Sequence, residues 1–253
     1  MMGVRVCEQT GLGLVANDPT ARLHRIASST YGPLNPPVRD ASDWSERQDW
    51  GRFDIVGQTL YLADSVDAAF RESLAPFRQK LIDTGTSFDK AARALGVSTE
   101  EFAVELRKEW DQLGHMAPGS VPASWRKKRC RYEVVIDAPG WWIDISDACT
   151  MSVLNKWAVE QRLGRVLTLS DVTGEDRTIT TPIAQYLSSL VLDDYSAAMG
   201  LSYLSKHGSS RCFAYWVRPT EKGSAACVDT QTIKENDPSY KSTAELFGLG
   251  PIF

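Results

Sequence analysis

The sequence predicts an α+β fold built of mixed β-sheets with surrounding helices and one helical insertion. Short runs rich in β-branched and aromatic residues indicate strands within residues 23–27, 59–63, 132–145 and 203–217. Amphipathic helical periodicity at 87–113 separates the early strands from the later ones. Because the chain shows no internal repeat and no low-complexity linker, we expect one domain over residues 1–253, with the insertion at about 78–129.

Composition is that of an ordinary globular protein. Of the 253 residues, 43% are hydrophobic and 24% are charged, which is enough to bury a sizeable core. The net charge of −4 argues against a general affinity for nucleic acid or anionic membranes. No apolar run approaches the roughly 20 residues of a membrane-spanning helix, and the first residues lack a secretory signal. We therefore expect a cytoplasmic protein that does not bind membranes.

The cysteine pattern predicts reduced thiols and no metal site. The five cysteines are Cys7, Cys130, Cys149, Cys212 and Cys227. They are odd in number and widely spread, and none has metal-ligand spacing to another cysteine or to a histidine. Cys212 with His207 is conceivable as a catalytic pair, an alternative that the sequence does not favour.

The first part of the chain presents polar side chains from strands, a loop and a helix. Residues 1–21 show no clear periodicity, whereas 23–27 are predicted to form a strand that presents Arg25. The loop at 31–37, which contains Tyr31, can carry ligand contacts or be a surface connection.

The stretch 51–74 combines a tight turn, a strand and a helix. Asp64 or Ser65 can cap the helix, whose apolar stripe is Val66, Ala69, Phe70, Leu74 and Phe77. Glu72 lies off that stripe, so Arg52, Tyr61 and Glu72 cluster on one unit. Taken alone, Glu72 is also consistent with a solvated position on a surface helix.

The insertion superficially resembles a helix-turn-helix. One short helix ends at Gly96, and Ser98 to Glu101 form a capping box that opens a second. The second helix carries several glutamates where a DNA-reading helix needs Arg, Lys, Asn or Gln, so we interpret it as a packed insertion. The basic run at 125–131 is either a solvated face or a nucleic-acid site.

Strands and helices alternate in the second half of the chain. Strands are predicted at 132–136, 141–145, 166–169, 203–205 and 212–217. One helix is predicted from Ser146 or Asp147 to about Gln161, and another from Thr181-Pro182 to about Leu192. The tail after Thr220 has little periodicity, and Asp237-Pro238 suggests a loop.

Five short segments occur in an order that resembles the RES domain, a bacterial toxin family. They are His24-Arg25-Ile26, Gly51-Arg52-Phe53, Leu60-Tyr61-Leu62, Arg71-Glu72-Ser73 and Gly200-Leu201-Ser202-Tyr203-Leu204-Ser205. Asp54 departs from the family, which often has Asn there. The resemblance implies an ADP-ribosyltransferase-like core, the consumption of NAD and an Xre-type antitoxin partner.

NAD would be a substrate, because no Gly-x-Gly-x-x-Gly motif follows a strand and no redox cofactor is expected. Arg25 and Arg52 suit a diphosphate, and Glu72 suits the oxocarbenium character of a breaking nicotinamide–ribose bond. Tyr61 could stack on nicotinamide or bind a ribose hydroxyl, and Ser205 could bind a ribose hydroxyl or a phosphate oxygen. The resemblance thus implies Glu72 and Arg52 as catalytic residues, and Arg25, Tyr31, Arg52, Tyr61 and Ser205 as NAD contacts.

Two alternatives stay open at this point. The arginines could form structural ion pairs with Asp54, Asp64 or Glu72, which would predict no NAD binding. A DNA-associated or protein-interaction module could instead be built around residues 87–131. The acceptor of the ADP-ribosyl group, whether water, phosphate or a protein side chain, is also open.

Overall fold

A computed structural model describes residues 3–78, 84–113, 121, 123–218 and 224–249. Its strands are β1 (Val4–Val6), β2 (Gly13–Ala16), β3 (Leu23–Ser28), β4 (Val38–Arg39), β5 (Gly57–Ala63), β6 (Arg129–Ile136), β7 (Trp141–Asp144), β8 (Gly200–Leu204), β9 (Arg211–Val217) and β10 (Ala225–Thr232). Its α-helices are α1 (Val66–Leu74), α2 (Thr84–Leu95), α3 (Thr99–Leu113), α4 (Ala123–Lys127), α5 (Ala148–Glu160), α6 (Leu169–Val172), α7 (Arg177–Ser188) and α8 (Pro238–Leu246). Two 3-10 helices lie at Ala41–Asp49 and Ala75–Phe77.

Within the described residues, the strands form one mixed sheet. Its order is β1-β2-β7-β8-β9-β5-β3-β6-β10, and β4 pairs with β5 off this path. β7 and β8 run parallel, whereas the other strand pairs of the sheet are antiparallel. The prediction of an α+β fold with a mixed sheet and surrounding helices is confirmed.

The two faces of the sheet bury different side chains, as strand alternation requires. Trp142 and Tyr215 belong to a cluster made mainly of strand residues, whereas Ile143 and Trp216, their neighbours in sequence, pack with residues of α5 and α7. A third cluster joins α1, α4 and α8 through Phe70, Trp125 and Tyr240. This cluster packs α1, the helix that carries Glu72, against α4 and α8.

Several predicted elements have the expected bounds and caps. β5 ends at Ala63, and Ser65 caps α1 by accepting a hydrogen bond from the Ala68 amide. Asp147 caps α5, and the Ser98–Glu101 capping box opens α3. Gly96 ends α2 at a φ of +70°. Each of these signals is local, so the sequence was sufficient to place it.

Residues 166–169, predicted as a strand, are not one. The Thr168 hydroxyl accepts a hydrogen bond from the Asp171 amide, and the Asp171 carboxylate accepts one from the Thr168 amide. This capping box starts α6 at Leu169. The local capping bonds therefore prevail over the apolar pattern that favoured a strand.

The helix predicted to open at Thr181-Pro182 begins earlier and also ends earlier. Asp176 caps it by accepting a hydrogen bond from the Thr178 amide, so α7 starts at Arg177 and Pro182 lies inside it. Pro182 is the sixth residue of α7, past the first turn, so the helix lacks the amide that would donate to the Thr178 carbonyl. Placing the start at Pro182 was wrong because the stronger cap lies six residues upstream.

Both ends of the chain contain more structure than predicted. The region 1–21 contributes β1 and β2, and the region after Thr220 contributes β10 and α8. Asp237-Pro238 opens α8 instead of forming a loop, since the Asp237 carboxylate accepts from the Ser239 and Tyr240 amides. No helix in the described ranges is both long and apolar enough to cross a membrane.

Candidate functional site

A cleft of about 350 Å³ opens where β3, β5 and α1 meet the turn at residues 51–54. Arg25 from β3, Arg52 from the turn, Tyr61 from β5 and Glu72 from α1 all line it. β3 and β5 are paired, with His24 opposite Ala63, which brings their polar side chains to one place. Four of the six predicted site residues therefore share one cavity.

The turn at 51–54 is held by the Tyr61 hydroxyl. This hydroxyl donates to Asp54 Oδ1 (2.9 Å) and accepts from the Phe53 amide (2.9 Å). Asp54 Oδ2 accepts from the Gly51 amide (2.8 Å), and a Cβ at Gly51 would collide with the Tyr61 hydroxyl and with Asp54 Oδ1 (2.7 Å). Burial raises the pKa of Tyr61 well above its usual value, as does the nearby Asp54 carboxylate. The hydroxyl thus braces the turn, and Tyr61 also lines the cleft.

Arg52 is buried and each of its guanidinium nitrogens faces an oxygen. Nη1 donates to the Thr173 carbonyl (3.0 Å), Nη2 lies 3.3 Å from Glu72 Oε2, and Nε lies 3.8 Å from Glu175 Oε1. The guanidinium also stands 5.2 Å from the centre of the Tyr203 ring. Burial opposes its charge, but Tyr203, Glu72 and Glu175 outweigh it and raise the pKa of Arg52.

Glu72 is held through both of its carboxylate oxygens. Ser205 Oγ donates to Oε1 at 2.6 Å, and Arg52 lies at Oε2. The Ser205 oxygen in turn accepts from the His207 amide at 3.0 Å. Only 25% of the Glu72 side chain is exposed, so the carboxylate is fixed in orientation at the edge of the cleft. Ser205 is therefore brought to the site through Glu72, although it lies just beyond β8.

Arg25 differs from Arg52 because its charge is not compensated. Its Nη1 is buried and has no hydrogen-bond partner within the described residues. Burial lowers the pKa of Arg25 to about 10 from the usual 12.5. A buried donor without an acceptor is costly, and at a binding site it is satisfied when the ligand arrives.

Tyr31 is placed differently from the other predicted residues. It is 64% exposed on the loop before Gly32, and the cleft lining defined by the described residues does not include it. The predicted NAD contact of Tyr31 stays a prediction without a geometric basis.

Sequence reasoning missed Glu175, Arg177 and Lys206, which lie at the same site. Arg177 lines the cleft, and its Nη1 donates to Glu175 Oε2 at 2.9 Å. Lys206 Nζ lies 3.3 Å from Glu175 Oε1. Glu175 comes from the connection between α6 and α7, and Arg177 is the first residue of α7; both lie more than 100 residues from Arg52, and no local pattern marked them. Lys206 directly follows Ser205 in sequence, which is the one signal that could have been used.

The other chemistries considered from sequence have little geometric basis. Cys212 is buried, which raises the pKa of its thiol, whereas a nucleophilic cysteine needs a lowered pKa. Within the described residues, no group of three or more His, Cys, Asp or Glu side chains could hold a metal ion.

No protein-family model matches the chain, and no curated protein matches it. Among solved structures the chain is similar to the crystal structure of the M. tuberculosis MbcT–MbcA toxin–antitoxin complex. The two share 13% sequence identity, and the alignment covers 89% of this chain and 86% of that chain with a TM-score of 0.38. A likeness at this level assigns no role to any residue, so the function has to be argued from the cleft itself.

Proposed function

We propose that this chain is a toxin-like enzyme that consumes NAD by cleaving its nicotinamide–ribose bond. The carboxylate of Glu72 supports this proposal most directly, because Arg52 and Ser205 each hold one of its oxygens, in a cleft that Arg25 also lines. A fixed carboxylate stabilises positive charge that develops on a neighbouring ribose. NAD combines such a ribose with an anionic diphosphate.

The charge of the cleft favours an anionic ligand although the whole chain is acidic. Arg25, Arg52 and Arg177 line the cavity, and Glu72 is the carboxylate among its lining residues. Arginine matches phosphate oxygens with two parallel donors. Arg25 is the best placed to bind phosphate, because its Nη1 has no protein acceptor within the described residues.

The ion pair between Arg52 and Glu72 refines the role of Arg52. The sequence left open whether such a pair is purely structural, and the pair is present at 3.3 Å. Since Nη1 and Nη2 face protein oxygens, we assign Arg52 chiefly to orienting Glu72, with a weaker share in binding phosphate through Nε. A carboxylate oriented in this way is useful for catalysis only if it faces the ligand, which its place in the cleft lining allows.

In the reaction, the bond between C1′ of ribose and the nicotinamide nitrogen breaks. Nicotinamide leaves with the bonding electrons as a neutral molecule, and positive charge develops on the ribose ring. Glu72 stabilises this charge or holds a ribose hydroxyl, and Ser205 keeps one carboxylate oxygen in place. Water, phosphate or a protein side chain then takes the ADP-ribosyl group, which makes the enzyme a glycohydrolase, a phosphorylase or an ADP-ribosyltransferase.

The RES resemblance extends this proposal to a protein partner and a compartment. We expect a cytoplasmic toxin that an Xre-type antitoxin neutralises by covering the cleft. NAD is consumed as a substrate and not recycled as a cofactor.

The basic run at 125–131 gives little support to a nucleic-acid module. Arg126 pairs with Glu235, and Arg131 pairs with Asp237, each at 3.5 Å. The Arg129 guanidinium covers the ring of Trp125, which is itself buried. These three arginines are engaged by the protein, whereas displacing the counterions of a nucleic acid needs cations that are free to contact its phosphates.

The proposal is tested by separating turnover from binding. Glu72→Gln keeps the shape of the side chain but removes its charge, so NAD degradation should fall by about 100-fold or more while NAD affinity changes little. Arg52→Ala should lower both, with binding weakened by about 1.5–3 kcal/mol for the lost charged hydrogen bonds. We would follow NAD loss by liquid chromatography and NAD binding by calorimetry.

Glu105→Gln is the matched control, because Glu105 is an exposed glutamate paired with Lys108 on α3. It should degrade NAD at the wild-type rate. If Glu72→Gln also does so, the assignment of the catalytic carboxylate is wrong. If the wild type neither binds nor degrades NAD at millimolar concentration, the proposed function itself fails.

A further inference from the structure

The connection between α6 and α7 places a carboxylate among three cations at the cleft. Glu175 Oε2 accepts from Arg177 Nη1 at 2.9 Å, and Glu175 Oε1 lies 3.3 Å from Lys206 Nζ and 3.8 Å from Arg52 Nε. Two of the three cations, Arg52 and Arg177, line the cavity itself. The Glu175 side chain is nevertheless 66% exposed, so charge and not packing holds it there.

Other hydrogen bonds hold the backbone of the connection between α6 and α7, so this backbone does not depend on the Glu175 side chain. Arg52 donates to the Thr173 carbonyl, and Asp176 caps α7. Arg177 Nε donates to the Trp50 carbonyl at 2.8 Å, and Arg47 donates to the Arg177 carbonyl at 3.3 Å. These bonds fix the backbone on both sides of Glu175, and they leave its carboxylate without an evident structural task.

We infer that Arg52, Arg177 and Lys206 form a subsite for a phosphate group, and that the Glu175 carboxylate occupies this subsite as an internal competitor until phosphate displaces it. This inference rests on the proposed function, since the diphosphate of a dinucleotide is the ligand that would use the subsite. It assigns Arg177 and Lys206 to binding and gives Glu175 a regulatory role.

Phosphate can displace the Glu175 carboxylate from the three cations for two reasons. It carries more charge than a carboxylate and presents more acceptor oxygens to the same donors. The Glu175 carboxylate is 66% exposed, so water and salt screen its contacts with these cations even though Arg52 and Arg177 are largely buried. Displacing Glu175 therefore costs little, and its side chain can turn into solvent.

The position of the subsite fits the rest of the site. Lys206 directly follows Ser205, whose hydroxyl bonds to Glu72, and Arg52 contacts both Glu72 and Glu175. A phosphate bound between Arg52 and Lys206 would thus lie close to the carboxylate proposed to act on the ribose. Burial opposes ionisation of Glu175, but the Arg177 hydrogen bond and the charge of Arg52 lower its pKa, so it is charged at neutral pH.

Inorganic pyrophosphate is the probe, with calorimetry as the measurement. Glu175→Gln removes the competing charge, so pyrophosphate should bind about three- to tenfold tighter than to the wild type. This gain in affinity should be larger at low salt. Lys206→Gln should weaken binding by a similar factor, because it removes a cation of the subsite. The matched controls are Glu105→Gln and Lys108→Gln, an exposed pair on α3, and both should leave the affinity unchanged.

If Glu175→Gln binds pyrophosphate no more tightly than the wild type, at an unchanged melting temperature, the inference is overturned. Glu175 then holds the three cations in position and does not compete with phosphate. An unchanged affinity in Lys206→Gln overturns the subsite as drawn, whatever Glu175→Gln does. Because pyrophosphate has no nicotinamide–ribose bond, the two proposals fail separately. Tighter binding by Glu175→Gln in a protein that degrades no NAD supports the inference and sinks the proposed function.

Discussion

Arg25 combines a buried charge with a donor that no described residue satisfies. Its pKa of about 10 lies below the usual 12.5, so the cost of the buried charge is fully present at neutral pH and is relieved only as pH rises through about 10. Arg25→Met should therefore stabilise the protein by about 1 kcal/mol and weaken NAD binding. Thermal denaturation and calorimetry measure the two effects.

Arg5 provides the contrasting control for Arg25. It forms two hydrogen bonds with Asp193, at 2.6 and 2.7 Å, and neither residue is among those that line the cleft. Arg5→Met should lower the melting temperature and leave NAD binding unchanged. If Arg25→Met behaves in this way too, Arg25 is a structural residue and not a ligand contact.

Tyr61, which is partly buried, and Tyr240, which is fully buried, should respond in opposite ways to the loss of the hydroxyl. The Tyr61 hydroxyl holds the turn at 51–54, so Tyr61→Phe should destabilise the protein by about 1–3 kcal/mol and weaken NAD binding. The Tyr240 hydroxyl is buried without a hydrogen-bond partner among the described residues, so Tyr240→Phe should be neutral or slightly stabilising. Urea denaturation of both variants compares them, and equal losses of stability would contradict this account of Tyr61.

At the scale of residues, the order of the five segments that resemble the RES domain predicted which side chains would come together. Arg25, Arg52, Tyr61 and Glu72 line the cleft, and Ser205 reaches it through Glu72. The bracing role of the Tyr61 hydroxyl depends on the geometry of a turn, which spacing alone does not reveal. The cations around Glu175 come together only after the chain has folded.

At the scale of elements, α2 and α3 form a local helical pair. Thr99 on α3 donates to Asp89 on α2 at 2.7 Å, and Val97 between the two helices bonds back to Ala92. We expect that replacing residues 84–113 by a Gly/Ser linker leaves NAD and pyrophosphate binding intact. A well-folded deletion protein that cannot bind either ligand would place this pair within the site.

A deletion that the protein tolerates should include α2 and α3 but not α4. The insertion predicted from the sequence, at about 78–129, includes α4 as well. Trp125 on α4 is buried and stacks on Tyr240 at a ring separation of 6.2 Å. Trp125→Ala should therefore cost about 3–5 kcal/mol in unfolding free energy, in contrast to the deletion of α2 and α3. A loss below about 1 kcal/mol would mean that this contact is not part of the core.

Two of the strands that the sequence missed, β1 and β10, have a common physical character. β1 and β10 lie at the two edges of the sheet, so much of their surface is exposed and their residues lack the alternation of a half-buried strand. Central strands such as β9 are buried on both faces and contain continuous apolar runs. Pairing with β6 determines that residues 225–232 form a strand, and this information is non-local.

At the scale of the whole molecule, the net charge is −4, but the residues that line the cleft include more cations than anions. A general polyanion such as duplex DNA meets the average field of the surface, which is acidic, whereas a small molecule with a diphosphate can enter the cleft and meet Arg25, Arg52 and Arg177. The molecule should therefore discriminate between NAD and DNA by shape and by local charge.

A thermal-shift comparison on Glu72→Gln tests this discrimination, because that variant should bind NAD without degrading it. A ligand present at about 100 times its Kd stabilises the native state by roughly 2.7 kcal/mol, which for a chain of this size corresponds to a rise in Tm of about 5–10 °C. NAD should produce this rise, and it should shrink with added salt because cations of the cleft are partly exposed. Duplex DNA at the same phosphate concentration should produce none. A rise with DNA that exceeds the rise with NAD would favour the nucleic-acid module over the enzyme, and it would move the functional surface from the cleft to the basic run at 125–131.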